Sequence, residues 1–388
     1  MSEVILTLNA GSSSMKFAAY RSAADAPERI MRGQVAGLGT EPTLVLKTGG
    51  QNETRAISAG THAEAMPVIL DAIAPFIDGA RVVGVGHRIV HGGPDVATHR
   101  RLDAALMEEL AGYEPLAPLH QPHNLAAARA AMEVFPDAVQ VGCFDTAFHR
   151  THGWVNDAFA IPRKYYDRGV RRYGFHGLSY DYITRRLATD YPTLAGRRIV
   201  IAHLGNGASM CGVRDGKSVA TTMGFSPLDG LPMGTRSGQI DPGVLLYLME
   251  TECMDAKELA QMLYRESGLL GLSGISNDMR TLLASHDPHA AQAVDYFVFR
   301  VRREIGAMSA VLGGIDGVVF CGGIGENAPV IRGRVLDGLQ YLGIEVDAGA
   351  NDHNAVEIGR GAVPVLVIPT DEEFVIADAV QDTLRSYD

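Results

Sequence analysis

Positive charge is scarce in this sequence, and long apolar runs are absent. The 388 residues contain 34 lysines and arginines against 45 aspartates and glutamates, so the formal net charge at pH 7 is −11. Nucleic acids and anionic membranes are bound through basic surfaces, so this balance argues against either partner. No apolar run approaches the roughly 20 residues that cross a bilayer, so the sequence predicts no membrane-spanning helix.

Cysteine is also scarce, and its spacing carries no motif. The chain has four cysteines, and none of them forms a C-x-x-C pair. Neither a disulfide framework nor a zinc site is therefore indicated. The first residues lack the basic segment and the long apolar core of a signal peptide. A reduced compartment fits this cysteine usage best, so we expect a cytoplasmic protein.

Two stretches about two hundred residues apart follow one pattern. Leu6–Phe17 reads LTLNAGSSSMKF and Ala202–Val213 reads AHLGNGASMCGV, so that Gly11 matches Gly207. In each, an apolar strand leads into a Gly/Asn/Ser loop, whose backbone N–H groups can meet an anion. The repeat predicts a duplicated domain with a phosphate chain held between its halves. Two ordinary hairpins with similar turn residues are the alternative.

Strand-like and helical patterns alternate along the rest of the chain. Val82–Val90 and Val363–Ile368 read as buried strands, whereas the apolar residues of Val294–Leu312 recur at helical spacing. This alternation predicts an α/β protein with mixed sheets. The length corresponds to two or three domains at roughly 100–200 residues each. The loop-rich segment Thr146–Gly174 is the expected passage between domains.

A third glycine-rich stretch, Cys321–Ala328, directly follows a strand-like run. Gly323, Gly325 and Ala328 fit the G-x-G-x-x-A loop of dinucleotide-binding folds, and Glu345 lies about 20 residues further on, where a ribose-binding acid would sit. An NAD-dependent oxidoreductase is therefore one alternative. It would leave the paired hairpin loops without a purpose, whereas a nucleotide site with separate phosphate and adenosine loops uses all three.

Seven motifs in a fixed order carry a family resemblance. They are NAGSSSMKF, GHRIVHGG, RYGFHG, HLGNGAS, MGTRSG, GGIGEN and PTDEE. Together they resemble the acetate/propionate kinase family of the actin, hexokinase and Hsp70-like superfamily, over nearly the whole chain. The resemblance implies two duplicated ββαβ-type domains with mixed sheets and flanking helices, in an actin/hexokinase-like (ribonuclease H-like) architecture with a nucleotide cleft between the domains. The expected domains are residues 1–147 with 371–388 on the carboxylate side, and residues 148–370 on the nucleotide side.

The resemblance also implies an activity. It is the reversible, Mg²⁺-dependent transfer of the γ-phosphoryl group of ATP to acetate, which gives acetyl phosphate and ADP, with Mn²⁺ as a substitute metal. Family members are commonly homodimers, so a homodimer is expected. A propionate kinase on the same scaffold is the nearest alternative. A non-catalytic, ATP-driven clamp of the actin or Hsp70 kind is another.

The chemistry of a carboxylate acceptor indicates which side chains matter. A carboxyl group has a pKa near ~4, so the acid is already anionic and its problem is repulsion, about 4 kcal/mol for unit charges 4 Å apart at an effective dielectric of 20. Arginine forks match carboxylate and phosphoryl oxygens. The resemblance places Arg88 on the substrate carboxylate, and Arg236 and His176 on the transferring phosphoryl group. It gives Asp145 an acid/base role, whereas the pKa argument favours orienting Mg²⁺ or the phosphoryl group, and both remain open.

Metal ligands are expected at the start of the last helix. Thr370–Glu373 reads as a capping box, which occupies Glu373 and leaves Glu372 without a local role. The resemblance makes Glu372 the Mg²⁺ ligand and places Asn9 beside the metal.

The resemblance alone assigns the remaining residues. Its nucleotide-binding residues are Ser12, Lys16, His203, Leu204, Gly205, Asn206, Gly207, Asp278, Met279, Arg280, Gly323, Ile324, Gly325, Glu326 and Asn327. Its carboxylate pocket consists of Val90, Leu119, His120, Phe175 and Pro227, next to Arg88. Three residues depart from the family pattern and bear on the shape of this pocket: Asp371 and Gln121, where asparagine is usual, and His123, where a small residue is usual.

Overall fold

The computed structural model describes residues 3–11, 14–48, 50–77, 79–118 and 120–386. It divides into two compact units. Unit 1 consists of Met1–Arg150 with Asp371–Asp388, and unit 2 consists of Thr151–Thr370. The first boundary falls inside the loop-rich segment Thr146–Gly174. Among the helices of the described ranges, none is both long and apolar enough to cross a membrane.

Unit 1 is built on a mixed sheet of eight strands. In chain order these are β1 (Glu3–Ala10), β2 (Ser14–Arg21), β3 (Glu28–Ala36), β4 (Thr43–Thr48), β5 (Gln51–Ala56), β6 (Arg81–Ile89), β7 (Arg100–Arg101) and β8 (Val139–Phe144). Their order across the sheet is β5-β4-β3-β2-β1-β6-β8-β7. Strand β1 is antiparallel to β2 and parallel to β6, which is parallel to β8. Every residue of β1 after Glu3 is buried, as expected for a strand covered on both faces.

Unit 2 is built on five strands. These are β9 (Ile199–Leu204), β10 (Ala208–Arg214), β11 (Lys217–Thr221), β12 (Gly317–Cys321) and β13 (Val365–Val367), in the spatial order β11-β10-β9-β12-β13. Strand β9 is antiparallel to β10 and parallel to β12, which is parallel to β13. The predicted second hairpin is therefore present as β9 and β10.

Fifteen α-helices lie in the described ranges. Those of unit 1 before the boundary are α1 (His62–Ile77), α2 (Ala104–Ala111) and α3 (Gln121–Val134). Those of unit 2 are α4 (Trp154–Asp157), α5 (Arg163–Asp167), α6 (Gly177–Asp190), α7 (Pro242–Glu250), α8 (Ala256–Gln261), α9 (Gly268–Ser273), α10 (Met279–Ala284), α11 (Pro288–Leu312), α12 (Gly322–Asn327), α13 (Pro329–Leu336) and α14 (Ala348–Asp352). The last helix, α15 (Glu372–Arg385), belongs to unit 1. The helix predicted over Val294–Leu312 is the C-terminal part of α11.

The two sheets contain the same five-strand arrangement. Three antiparallel strands are followed, on the far side of the first strand, by two parallel ones: β3-β2-β1-β6-β8 in unit 1 and β11-β10-β9-β12-β13 in unit 2. This confirms the duplicated fold and excludes two unrelated hairpins. Counted from the end of the first strand, however, Gly11 corresponds to Gly205 and not to Gly207, because β1 ends at Ala10 and β9 ends at Leu204.

Helix α15 lies directly on the backbone of β6. A Cβ atom at Gly84 would clash with Val380, and one at Gly86 would clash with Ile376. Glycine therefore permits the close approach of helix and strand. The approach brings Glu372, the first residue of α15, to the carboxyl ends of the central strands of unit 1.

Candidate active site

Three side chains of unit 1 meet where neighbouring parallel strands end. Asn9 is the penultimate residue of β1, Arg88 is the penultimate residue of β6, and Asp145 directly follows β8. Arg88 Nε donates to Asp145 Oδ1 at 3.0 Å and its Nη2 donates to Oδ2 at 2.6 Å, so the pair is bidentate. Arg88 Nη1 donates to Asn9 Oδ1 at 3.1 Å. All three nitrogen atoms of the guanidinium thus donate hydrogen bonds.

Glu372 completes this group, which we call the arginine cluster: Asn9, Arg88, Asp145 and Glu372. The Oε2 atom of Glu372 accepts a hydrogen bond from Asn9 Nδ2 at 3.3 Å and lies 3.9 Å from Arg88 Nε. The side chain of Asp145 is 1% exposed and that of Arg88 is 17% exposed. Burial opposes the charge of Arg88, but Asp145 and Glu372 raise its pKa above the ordinary value. The cluster therefore holds one guanidinium against two carboxyl groups.

The capping box predicted at Thr370–Glu373 is wrong. Helix α15 begins at Glu372, and its N-cap is Asp371, whose side chain accepts a hydrogen bond from the backbone N–H of Phe374 at 3.0 Å. The buried hydroxyl of Thr370 has no hydrogen-bond partner among the described residues. Aspartate is among the strongest N-cap residues, which explains why the cap lies one residue later than predicted. The departure from the family pattern at Asp371 is thus part of the helix end.

Glu373 is therefore the second residue of α15 and has no capping role. Burial raises the pKa of its carboxyl group, and the adjacent Glu372 raises it further, while the ammonium group of Lys16 opposes the shift. Lys16 lies opposite Asn9 in the β1–β2 register. The lysine expected to face phosphate thus also acts on a buried carboxyl group beside the arginine cluster.

Two buried amide side chains at the start of α3 hold the strand ends in place. Asn124 Nδ2 donates to the carbonyl of Ala10 at 2.7 Å, and its Oδ1 accepts from the N–H of Val90 at 2.9 Å. Gln121 accepts from the N–H of His91 at 3.1 Å and donates to its carbonyl at 2.9 Å. The unusual glutamine therefore fastens the segment after β6. Sequence reasoning missed Asn124, although a polar residue three positions after Gln121 on an apolar helix face was a usable signal.

A histidine contacts the β1–β2 hairpin, and a second histidine packs against the first. His62 Nε2 lies 2.7 Å from the carbonyl oxygen of Gly11, and its ring centroid is 5.1 Å from that of His123. The third departure from the family pattern, His123, therefore packs against a residue that contacts the hairpin. Neither histidine was among the predicted site residues.

The other predicted residues of unit 1 belong to the carboxylate pocket and the first hairpin loop. Val90 is buried, and His120 is the half-buried N-cap of α3. Ser12 and Leu119 lie outside the described residues.

Two histidines stack in unit 2. The ring centroids of His176 and His203 are 4.4 Å apart, with an interplanar angle of 22°. His176 Nδ1 is hydrogen-bonded to Ser209 Oγ at 2.8 Å, and His203 Nδ1 is hydrogen-bonded to Ser179 Oγ at 2.8 Å. His176 has a φ of 59°, a left-handed conformation that is uncommon for a residue with a side chain. Its backbone, the stacking and the hydrogen bond together fix the orientation of this ring.

Arg236 and His176 converge on Gly207, in the loop between β9 and β10. A Cβ atom at Gly207 would lie 2.9 Å from Arg236 Nη2 and 3.2 Å from His176 Nε2, so a larger residue would push both side chains away. Arg236 Nη1 donates to the carbonyl of Pro227 at 3.0 Å. Phe175, which precedes His176, is buried. We call His176, His203, Gly207 and Arg236 the histidine–arginine cluster.

A cavity of about 640 Å³ lies beside the same loop of unit 2. Its size is in the range of small-molecule and cofactor sites. Its walls include eight predicted nucleotide residues: Gly205, Asn206, Asp278, Met279, Arg280, Gly323, Ile324 and Asn327. Sequence reasoning missed the other wall residues, which are Asn277, Leu283, Ala328, Pro329 and Val330. Three separate segments of unit 2 thus meet around one cavity.

Five predicted nucleotide residues of unit 2 do not line this cavity: His203, Leu204, Gly207, Gly325 and Glu326. The side chain of Glu326 is engaged within the protein, since its Oε1 accepts from the backbone N–H groups of Gly322 at 2.8 Å and of Thr370 at 3.2 Å. The glycine-rich stretch is also the short helix α12 and not the loop that the sequence suggested. Gly322 has a φ of +76°, and a Cβ there would lie 2.8 Å from the carbonyl oxygen of Leu204.

A fully buried arginine is hydrogen-bonded to the backbone of α12. Arg332 Nη1 donates to the carbonyls of Gly325 at 2.8 Å and Glu326 at 3.1 Å. Its Nε donates to Asn351 Oδ1 and its Nη2 to the carbonyl of the same residue, both at 2.9 Å. These acceptors are all neutral, and burial lowers the pKa of Arg332. The arginine therefore fixes the wall of the cavity through backbone carbonyls.

Comparison with known proteins decides the family. The family model of the acetokinase family matches residues 4–378. The chain belongs to the acetokinase family. It is 51% identical to the acetate kinase of Methylocella silvestris and 49% identical to that of Rhizobium meliloti, and each alignment covers 97% of both chains.

Solved structures of acetokinases agree with this assignment. The propionate kinase of Francisella tularensis has a TM-score of 0.92 and 34% identity, over 98% of this chain and 99% of that one. The acetate kinase of Porphyromonas gingivalis has a TM-score of 0.88 and 34% identity, over 98% and 100%. The predicted family and fold are confirmed, and the protein is a kinase that transfers phosphate to a carboxyl group. The oxidoreductase and clamp alternatives are set aside.

The raised pKa of Glu373 predicts that its carboxyl group destabilises the protein at neutral pH. Because the folded pKa lies above the ordinary value of 4.5, the unfolded state holds fewer protons between the two values, and stability rises as pH falls through the folded pKa. Glu373→Gln should therefore raise the urea midpoint at pH 7, and this advantage should shrink as the pH falls towards the ordinary value of 4.5. Glu133→Gln, on the surface of α3, is the control. A lower midpoint for Glu373→Gln at pH 7 would show that attraction to Lys16 outweighs burial.

Proposed function

We propose that this acetokinase catalyses the reversible transfer of the γ-phosphoryl group of ATP to acetate, giving acetyl phosphate and ADP. The observation that carries the proposal is the convergence of Arg236 and His176 on a glycine loop that also borders a nucleotide-sized cavity. A guanidinium and an imidazole at this point suit the charge that spreads over a transferring phosphoryl group. The identity of 51% to an acetate kinase supports acetate as the acceptor.

We assign the cavity of unit 2 to the adenosine part of ATP. Met279, Leu283 and Ile324 offer apolar wall surface for the base. Hydrogen bonds from Arg280 lower the pKa of Asp278 to about 2, so Asp278 is an acceptor at neutral pH. An ionised carboxylate is a suitable acceptor for ribose hydroxyl groups. Gly205 and Gly323 let the phosphate chain approach the backbone closely.

We assign the acetate carboxylate to Arg88. Its charge offsets the repulsion between an anionic acceptor and an anionic phosphate chain. Its contacts with Asn9 and Asp145 hold the fork in place before substrate arrives, which lowers the cost of ordering it. The bidentate pair also favours a positioning role for Asp145 over an acid/base role, because its carboxylate is engaged by a permanent cation. Val90, Leu119, Phe175 and Pro227 are assigned to the substrate methyl group, and His120 is assigned to the substrate site as well.

Two residues of the arginine cluster, Asn9 and Glu372, are assigned to Mg²⁺. In the described part of the chain, no three His, Cys, Asp or Glu side chains are grouped to hold a metal. Mg²⁺ does not need such a cage, since it is commonly held by one or two carboxylates together with substrate phosphates and water. Glu372 would supply the carboxylate, and Asn9, which donates to Glu372, would orient it. The ion would neutralise part of the phosphate charge.

Arg236→Ala should lower kcat by about 10²–10³, as the loss of a single donor to a developing charge does. KM for acetate and for ATP should change less, because the proposed contact strengthens in the transition state. Steady-state kinetics with ATP, acetate and Mg²⁺ provide the measurement. Arg303→Ala, which removes a surface arginine of α11 paired with Glu304, is the matched control. A near-normal kcat for Arg236→Ala would assign this arginine a structural role only.

Acetate should be used more efficiently than propionate, and butyrate should be a poor substrate. One methylene in an apolar pocket changes transition-state binding by about 1–3 kcal/mol, or roughly 10–200-fold, so propionate should be measurable but inferior. Val90→Ala should shift the kcat/KM ratio towards propionate by removing buried volume. Val141→Ala, which shortens a buried valine in strand β8 of the same unit, controls for general loosening. Equal or better use of propionate by the unmodified protein would instead favour a propionate kinase.

We further propose a homodimer that buries helix α7. Every residue of this helix remains at least partly accessible, although its sequence, PGVLLYLME, is mostly apolar. Leu246 is 58% exposed and Tyr247 is 54% exposed. A helix that is apolar on all sides is normally covered, and a second copy of the chain is the commonest cover for such a patch.

Leu246→Glu should shift the protein from dimer to monomer in light scattering coupled to size-exclusion chromatography. The added charges would have to be buried in the interface without partners. Tyr341→Glu, which alters a 73% exposed side chain elsewhere on unit 2, should leave the dimer intact. A monomeric unmodified protein at micromolar concentration would contradict the assignment.

The four cysteines support a reduced, cytoplasmic location. Cys143, Cys211 and Cys321 are buried thiols, and Cys253 is an exposed one. Thiol cysteines are typical of proteins that stay in a reducing compartment.

A further inference from the structure

Ser209 links a buried tyrosine to the catalytic histidine. It lies in β10 and is fully buried, as is Tyr180 in α6. Ser209 Oγ is 2.8 Å from His176 Nδ1, and it also contacts the hydroxyl of Tyr180 at short range. The three side chains therefore form one chain of hydrogen bonds, Tyr180–Ser209–His176, inside unit 2. None of the sequence motifs indicated this connection.

The donor strengths of the two hydroxyl groups determine which atom donates each hydrogen bond in this series. Burial raises the pKa of Tyr180 well above its ordinary value, so its phenol keeps its proton. A phenol is a stronger donor and a weaker acceptor than an alcohol, so the Tyr180 hydroxyl donates to Ser209 Oγ. The single proton of Ser209 is then directed to the other neighbour, His176 Nδ1.

This direction determines which nitrogen of His176 carries the proton. When Nδ1 of a neutral imidazole accepts a hydrogen bond, the ring proton lies on Nε2. Nε2 is the ring nitrogen that faces Gly207, and Arg236 Nη2 faces the same glycine. In this tautomer the ring presents an N–H to that loop, whereas the other tautomer would present a lone pair to the oxygens of a phosphoryl group.

We propose that Ser209, oriented by Tyr180, is a positioning residue that holds His176 in the Nε2–H tautomer, ready to donate to the transferring phosphoryl group. The last clause rests on the proposed function, while the tautomer itself does not. The left-handed backbone of His176 and its stacking on His203 already fix the plane of the ring. The tautomer is the remaining variable, and Ser209 sets it.

The direct test is the ¹⁵N spectrum of the histidine side chains at about pH 8, where imidazole is neutral. Long-range ¹H–¹⁵N correlations distinguish the two tautomers, and comparison with His176→Asn assigns the signal. We expect the Nε2–H pattern in the unmodified protein. In Ser209→Ala and Tyr180→Phe we expect a mixture of tautomers. An Nδ1–H pattern in the unmodified protein, or an unchanged pattern in both variants, would overturn the proposal.

Kinetics separate positioning from structural damage. Ser209→Ala should lower kcat about tenfold or more with little change in KM, and Tyr180→Phe should have a smaller effect in the same sense, because both weaken a donor that acts in the transition state. Ser218→Ala is the matched control, since Ser218 is another buried serine of this sheet that contacts a histidine, His152. It should leave kcat unchanged. Equal kcat losses in Ser209→Ala and Ser218→Ala would show a structural role only.

The proposed function can fail separately. If the unmodified protein phosphorylates no short carboxylate but its His176 tautomer shifts in Ser209→Ala, the positioning of His176 is upheld and the acceptor is wrong. If the protein is active and the tautomer does not respond, the positioning role is refuted and the kinase assignment is retained.

Discussion

A guanidinium held between two carboxyl groups is the interaction on which unit 1 depends. Arg88 loses hydration on burial, and this loss is offset only while Asp145 and Glu372 stay in contact range. Removing one partner of such a pair typically costs about 3–5 kcal/mol, because the remaining charge is uncompensated. Strands β1, β6 and β8 and helix α15 must all be in register for this contact to form. The same contact also shapes the proposed acetate site, so folding and catalysis share one requirement.

Unit 2 also contains a buried arginine, but its hydrogen-bond acceptors are neutral groups. Arg332 is fully buried, and its guanidinium donates to the carbonyls of Gly325 and Glu326 and to the side-chain and backbone oxygen atoms of Asn351. These hydrogen bonds therefore stabilise the glycine-rich wall on the side that faces away from the cavity. Arg88 thus orders side chains at the strand ends of unit 1, whereas Arg332 orders the backbone of the cavity wall in unit 2.

Local patterns predicted much of this fold, and the failures have identifiable physical causes. Both hairpins and the second half of α11 follow from apolar periodicity, which is readable within a few residues. Helix α15 starts one residue later than predicted because Thr370 and Asp371 are both good cap residues in adjacent registers, and aspartate is the stronger cap. The stretch after β12 fits a glycine-rich loop motif, whereas hydrogen bonds made by Glu326 and Arg332 hold it as the short helix α12. Contacts such as Asn124 with Ala10 join distant segments, so no local pattern reveals them.

The return of α15 to the first sheet has a consequence for synthesis on the ribosome. The nascent chain emerges from its N-terminus, so all of unit 2 is translated before α15 becomes available. Until then, the glycine-lined face of β6 has no cover, and Arg88 lacks one of its two acids. A chain without this helix would expose an apolar sheet face to chaperones and proteases, and its proposed acetate site would lack Glu372.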